Sequence, residues 1–284
     1  MTLATLSDVL IPARDGGYAI AGLVCQGWED MRAYVTAAEA ERAPVILQAG
    51  PGCRAHTPLP VLAGMMRHLA EAASVPVVIH LDHAHSLDEC RAAIDLGFTS
   101  VMFDGSRLPL ADNMAQTAQV VRIAQAAGVS CEGEIGFVGY DAGVASIGTD
   151  PAEAATFARD TGVDALAVSV GNVHLQQGAG AALDEARIHA IAALTDVPLV
   201  IHGGSGVPPV QRSALARGSN ICKFNIGTEL RMTFGAALRQ NLVDDDQIFD
   251  RIDILSATEA SLCAAARRII ASLGVQSRHV LDGI

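Results

Sequence analysis

Short apolar runs recur along the whole chain, at 18–25, 44–49, 76–82, 99–104, 129–135, 165–170, 198–203 and 220–225. Most are apolar at nearly every position and rich in β-branched residues. That pattern suits strands buried on both faces, as in parallel sheets. Between the runs lie Ala-rich segments whose apolar residues fall at helical spacing. Pro44, Pro76 and Pro198 head three of the runs, where a strand tolerates proline. Gly97, Gly128, Gly162 and Gly218 shortly precede four others, where helices end. Strands alternating with helices predict an all-parallel sheet. Eight such units in 284 residues favour a closed (β/α)8 TIM barrel, one domain over 1–284. The alternative, a doubly wound open sheet, is disfavoured because no GxGxxG opens the first helix. A last helix, at 257–273, lies beyond the eighth unit as an extra element and a candidate for oligomer contacts. The stretches 136–150 and 171–183 read as loops with a purpose.

Half of the residues are apolar and 18% are charged, enough for a large core. The formal charge of −12 argues against a nucleic-acid partner, which needs a basic excess. An anionic substrate must then be drawn by a local positive site. Cysteines 25, 53, 90, 131, 222 and 263 show no CxxC pairing and read as reduced thiols of an intracellular protein. No signal peptide opens the chain and no apolar run has membrane-spanning length. The expectation is a cytoplasmic protein with no membrane partner.

Three runs meet a histidine at their C-terminal ends. They are Ile79-His80-Leu81-Asp82-His83, Val168 to His174, and Leu199-Val200-Ile201-His202-Gly203-Gly204-Ser205-Gly206. In an α/β barrel those ends form the rim that carries the chemistry. Imidazoles from three strands can converge there on one metal ion. The pattern alone leaves the ligand of the first run open, since His80 and His85 flank His83. Neighbouring strand residues point to opposite faces, so Asp82 and His83 reach the mouth together only where the chain already turns. Asp82 reads either as an acid/base beside a metal or as a cap of the next helix. Glu132 and Glu134 are two apart and share a face. Glu134 is a candidate metal ligand, and Glu132 either serves the site or pairs with Lys223. Asp104 is a further candidate ligand, or else forms an Asx-type turn with Gly105. Two small-residue loops, Gly203–Gly206 and Asn225-Ile226-Gly227-Thr228, follow the seventh and eighth runs, where barrels often bind phosphate.

Together these blocks resemble the class II, zinc-dependent ketose-bisphosphate aldolases, which act on fructose and tagatose bisphosphates. The similarity covers about residues 1–270. It rests on Ile79–His83, Ser100–Ser106, Glu132–Gly136, Gly171–His174, His202–Gly206 and Asn225–Glu229, in that order. The resemblance implies zinc on His83, His174 and His202, with Glu134 near the metal and Asp82 as acid/base at the cleaved bond. It also implies that Gly203, Gly204, Ser205, Asn225, Ile226, Gly227 and Thr228 hold dihydroxyacetone phosphate. A monovalent cation, Na+ or K+, would assist there, and the chain would form a homodimer or homotetramer. Cleavage of a ketose between C3 and C4 leaves an enediolate, whose charge a zinc Lewis acid stabilises.

The departures from the family pattern concern substrate contacts. Leu175 stands where the family usually has glycine after the second zinc histidine, a donor-binding position. Asp141, in Gly139-Tyr140-Asp141-Ala142-Gly143, is the candidate for the loop acid that moves the enediolate proton. Gly22-Leu23-Val24-Cys25-Gln26 replaces an Asn-containing strand end, and Ala49-Gly50-Pro51-Gly52 a hydroxyl-bearing loop. The expectation is a divergent aldolase cleaving a sugar phosphate to dihydroxyacetone phosphate and an aldehyde. Two other readings use the same residues. One is a sugar-phosphate epimerase or isomerase with the same zinc enediolate chemistry. The other is a non-catalytic accessory subunit of an aldolase.

Overall fold

The computed structural model describes residues 2–140, 143–176, 180 and 182–275. Its strands are β1 (Leu3–Ala4), β2 (Ile20–Val24), β3 (Val45–Ala49), β4 (Val77–Ala84), β5 (Ser100–Phe103), β6 (Ser130–Ile135), β7 (Ala165–Val168), β8 (Leu199–Ile201) and β9 (Ile221–Ile226). From β2 onward they pair in parallel in chain order, and β9 closes on β2. This is the TIM barrel expected, each apolar run supplying one stave. The extra strand β1 lies outside the ring. It borders the start of β4 at Val77 and Val78, before β5 takes over that edge at His80.

Helix α1 (Leu6–Gly16) comes before the first stave and plugs the barrel. Thr5 and Asp8 form a capping box at its start. Leu6, Val9, Leu10 and Ala13 make one apolar face. That face packs with Ile20, Ile46, Val78, Met102, Ala167 and Val200 inside the barrel. Ser7 Oγ donates to Asp164 Oδ1 at 2.8 Å, just ahead of β7, so the plug sits at the N-terminal ends of the strands. The C-terminal rim is left for the site.

The other helices are α2 (Trp28–Glu41), α3 (Pro51–His56), α4 (Leu59–Ala72), α5 (Leu87–Asp95), α6 (Leu110–Ala126), α7 (Pro151–Thr161), α8 (Glu185–Ala192), α9 (Pro209–Gly218), α10 (Thr228–Asp244), α11 (Arg251–Ser256) and α12 (Glu259–Ala271). The extra helix expected at 257–273 is α12. It packs against α2 and buries Leu262, Ala265, Ala266, Ile269 and Ile270. Its apolar face is spent within the chain. Among the described residues no helix is long and apolar enough to cross a membrane.

Above the plug the barrel interior turns polar. Lys223 and Glu132 are fully buried there, with Lys223 Nζ 2.6 Å from Glu132 Oε2. The pairing of Glu132 with Lys223 is thus present. Lys223 Nζ also lies 3.3 Å from His80 Nε2, and His80 Nδ1 lies 2.8 Å from Ser100 Oγ. His80 therefore belongs to this buried layer, below the rim.

Candidate active site and metal centre

Strand parity alone would send Asp82 and His83 to opposite faces. The β4–β5 register slips between Leu81 and Ala84, and His83 takes a left-handed φ of +52°. That bulge turns both side chains into the barrel mouth. A non-glycine residue held there costs of order 1–3 kcal/mol, so its surroundings must enforce it.

The His83 and His202 rings stand nearly perpendicular, at 88°, with His83 Nε2 3.0 Å from His202 Nδ1. Their other nitrogens are taken. His83 Nδ1 is 2.8 Å from Asp104 Oδ2, and His202 Nε2 is 3.0 Å from Glu132 Oε1. Carboxylates behind imidazoles fix tautomer and ring orientation in metal sites. The His174 ring centroid is 5.2 Å from that of His83 and 5.7 Å from that of His202. One ligand nitrogen from each of the three rings lies within 4.8 Å of the others. Two imidazole nitrogens on one tetrahedral zinc stand about 3.3 Å apart, given zinc–nitrogen bonds of ~2.05 Å. The 3.0 Å pair is close to that spacing.

Glu134 points the same way. Its Oε2 is buried and lacks a hydrogen-bond partner among the described residues. It sits 3.7 Å from His202 Nδ1 and 3.8 Å from His83 Nδ1. Burial, then the charge of Asp104, pushes its carboxyl well up. A buried acceptor with no donor is costly, and a cation beside it would remove the cost. The donor set of three imidazoles and a spare carboxylate fits a divalent metal.

Charge within the cluster is unevenly held. Burial, then the charges of His202 and His83, pushes His174 down to about 3. Burial also lowers His202, against its bond to Glu132. Burial opposes a charge on His83 too, but Asp82, the bond to Asp104, and Glu134 overcome it and hold His83 up at about 10.

Asp104, a candidate ligand from sequence, stands behind His83. Its Oδ2 holds Nδ1 while its Oδ1 accepts from Ser106 N at 3.1 Å and Ser106 Oγ at 2.6 Å. The Asx-type turn is therefore real, closing on Ser106. His85 lies exposed on the rim, with Nδ1 3.2 Å from Asp104 O.

Asp82, His83, Asp104, Glu134 and His174 line a cavity of about 560 Å3. Leu175, Gly203, Ser205, Asn225, Gly227 and Thr228 line it too, so most expected substrate contacts share one space. Asn225 Nδ2 approaches Asp82 Oδ1 at 3.4 Å. A Cβ on Gly203, whose φ is +64°, would meet Val173 O at 2.0 Å, so only glycine fits. Ser205 Oγ accepts from Gly227 N and Glu229 N at 3.3 Å each, at the start of α10. Arg212 ties the two loops together, with Nη2 donating to Gly204 O at 3.1 Å and to Glu229 Oε1 at 2.7 Å. Two expected contacts do not reach the cavity with their side. Gly204 is packed against β9, and the Ile226 side chain, by strand alternation, faces the core under the helices. Only main-chain groups of Ile226 remain for a ligand.

Leu175 is half exposed at the mouth with a φ of +59°. Glycine adopts that conformation without strain, which accounts for the glycine usual there. The Tyr140 ring lies 5.1 Å from the His174 ring. Asp141, the expected loop acid, falls outside the described residues. The cavity also takes in Phe137, Val138 and Tyr140 from the 136–150 loop, and Arg107 and Arg231, which no sequence motif flagged. A hint existed for Arg231, one turn into a helix expected to bind phosphate.

The sequence model of the class-II fructose-bisphosphate aldolases matches residues 4–278. The chain belongs to that family. Class II aldolases are carbon–carbon lyases that generally use a divalent metal, in keeping with the donor set above. A fructose-bisphosphate aldolase of Geobacillus stearothermophilus is 38% identical over 260 residues, covering 88% of this chain and 89% of the relative. One from Staphylococcus aureus is 34% identical over 288 residues, covering 98% and 99%. Among solved structures, the YdjI aldolase from Escherichia coli K12 superposes with a TM-score of 0.85 at 30% identity, covering 96% of this chain and 97% of that one.

Proposed function

We propose that this aldolase is a single barrel domain that binds zinc through His83, His174 and His202 and reversibly cleaves a ketose phosphate. The products are dihydroxyacetone phosphate and an aldehyde. The observation that carries the reading is the approach of His83 Nε2 and His202 Nδ1 to 3.0 Å, with His174 beside them, at the edge of a cavity that holds Asp82. Zinc supplies a Lewis acid that lowers the cost of negative charge developing on the donor fragment.

The chain's own groups do the rest. The Asp82 carboxylate takes the proton of the C4 hydroxyl as the C3–C4 bond breaks and C4 becomes a carbonyl. It returns that proton when the bond forms. Asn225 holds the donor beside Asp82, an arrangement supported by their contact. Ser205, Gly227 and Thr228 bind the phosphate at the α10 N-terminus, where the helix dipole and the first-turn N–H groups that do not donate to Ser205 favour an anion. A monovalent cation, Na+ or K+, assists there. Asp141 delivers or removes the proton at the enediolate carbon. Leu175 narrows the donor site.

The decisive assay is retro-aldol cleavage across a panel of ketose mono- and bisphosphates. Cleavage should vanish with a chelator and return with zinc. No cleavage of any member by zinc-loaded protein would overturn the reading. We further propose a homodimer or homotetramer, supported by the exposed apolar side chains of Val243, Phe249 and Ile252 around the α10–α11 turn. The six free cysteines suit a reducing cytoplasm.

A further inference from the structure

The left-handed turn at His83 needs a cause, and the backbone around it names one. The register slip between Leu81 and Ala84 interrupts the ladder between β4 and β5. On the other side β3 ends at Ala49. An interrupted ladder supplies fewer donors, and buried carbonyls need them. Arg54, on α3, supplies them. Its Nη1 donates to Ala49 O and to Asp82 O, each at 2.6 Å, and its Nη2 donates to His83 O at 3.1 Å. Arg54 is itself largely buried. Glu89 extends the arrangement: its Oε1 lies 3.9 Å from Arg54 Nη2, and its Oε2 accepts from His85 N at 2.7 Å.

We propose that Arg54 is a positioning residue whose guanidinium holds the β4 bulge, so that Asp82 and His83 both face the cavity. It touches neither substrate nor metal and acts through the backbone of those two residues. One planar fork reaches three carbonyls on two strand ends. A lysine ammonium offers no such fork. The inference rests on the reading of His83 as a zinc ligand and Asp82 as the acid/base.

The test uses the full chain with R54K, R54M and R54A. Zinc affinity is measured without substrate, by competition with a chromophoric chelator. Kinetics follow at saturating zinc. Zinc binding should weaken by about 10- to 100-fold, the usual effect of losing an outer-shell support. With zinc saturating, kcat should fall by about 100-fold, as for a reacting group displaced by around 1 Å. The donor KM should stay close to that of the parent, because Ser205 and Gly227 sit on β8 and β9 loops that Arg54 does not touch. Millimolar guanidinium should restore zinc affinity to R54A, and methylammonium should not.

R54K with parental zinc affinity and kcat would overturn the proposal. So would a uniform loss, in which thermal midpoint, zinc affinity and donor KM worsen together and guanidinium restores none of them. If the parent binds zinc but cleaves no ketose phosphate, the functional reading fails by itself. The substrate-free zinc titration still decides the role of Arg54.

Discussion

Asp82 is a buried carboxylate that remains an anion. Burial raises its pKa, but the charges of His83, His202, His80 and Lys223 outweigh burial and lower it. It is therefore in the anionic form that a proton acceptor needs at neutral pH. Asp82→Ala should lower kcat by ~100- to 10,000-fold, the range of a positioned acid/base, while bound zinc stays at the parental level. Steady-state kinetics paired with metal analysis checks both halves. Glu132 has two partners to lose, His202 on one oxygen and Lys223 on the other. Glu132→Gln should weaken zinc binding about 10- to 100-fold by loosening His202. It should also destabilise the fold by ~3–5 kcal/mol, because Lys223 is left charged and unpaired in the barrel. Chelator competition reads the first effect and denaturant unfolding the second. His83 shows where sequence reasoning stops at this scale. The pattern allowed His80, His83 or His85 as ligand. Of these, His80 in the structure faces Lys223 and Ser100. A single left-handed residue reverses parity, and no glycine marks the position.

At the scale of the element, the phosphate end is the start of α10 with the Gly203–Gly206 loop folded against it. Both loops were legible because small residues between a strand and a helix leave N–H groups open to an anion. Their internal wiring was not. Ser205 rests on the N–H groups of Gly227 and Glu229, and that contact depends on packing far along the chain. Ser205→Ala should raise the donor KM with kcat little changed, since it removes binding felt equally in ground and transition states. It should cost ~1 kcal/mol of stability for the lost bonds. Kinetics at varied donor concentration, with thermal unfolding alongside, tests this. The strands themselves were readable because each is a compact apolar run bounded by proline or glycine. Two-residue β1 was too short to read. Helix α1 carries a clear apolar face, but it lies ahead of the first barrel stave and contains Pro12, so nothing local announces it as a plug.

For the whole molecule, the barrel is closed at one end by α1 and armed at the other. Leu10 is fully buried in the plug. Leu10→Ala should therefore destabilise the fold by ~2–5 kcal/mol, the cost of a large-to-small change in a packed core. Zinc affinity should hold, because a polar layer separates the plug from the rim; calorimetry and zinc titration separate the two effects. The order of the motif blocks made the family legible from sequence, yet the meeting of residues 83, 174 and 202 is a product of ring closure. Only the closed sheet brings β4 and the loop after β7 to the same side as β8. The most direct test of the account is anomalous diffraction at the zinc edge from crystals of the zinc-loaded protein. One strong peak bounded by His83 Nε2, His202 Nδ1 and a ring nitrogen of His174 is the expected result. No peak among those rings, or zinc held only elsewhere in the chain, would contradict it.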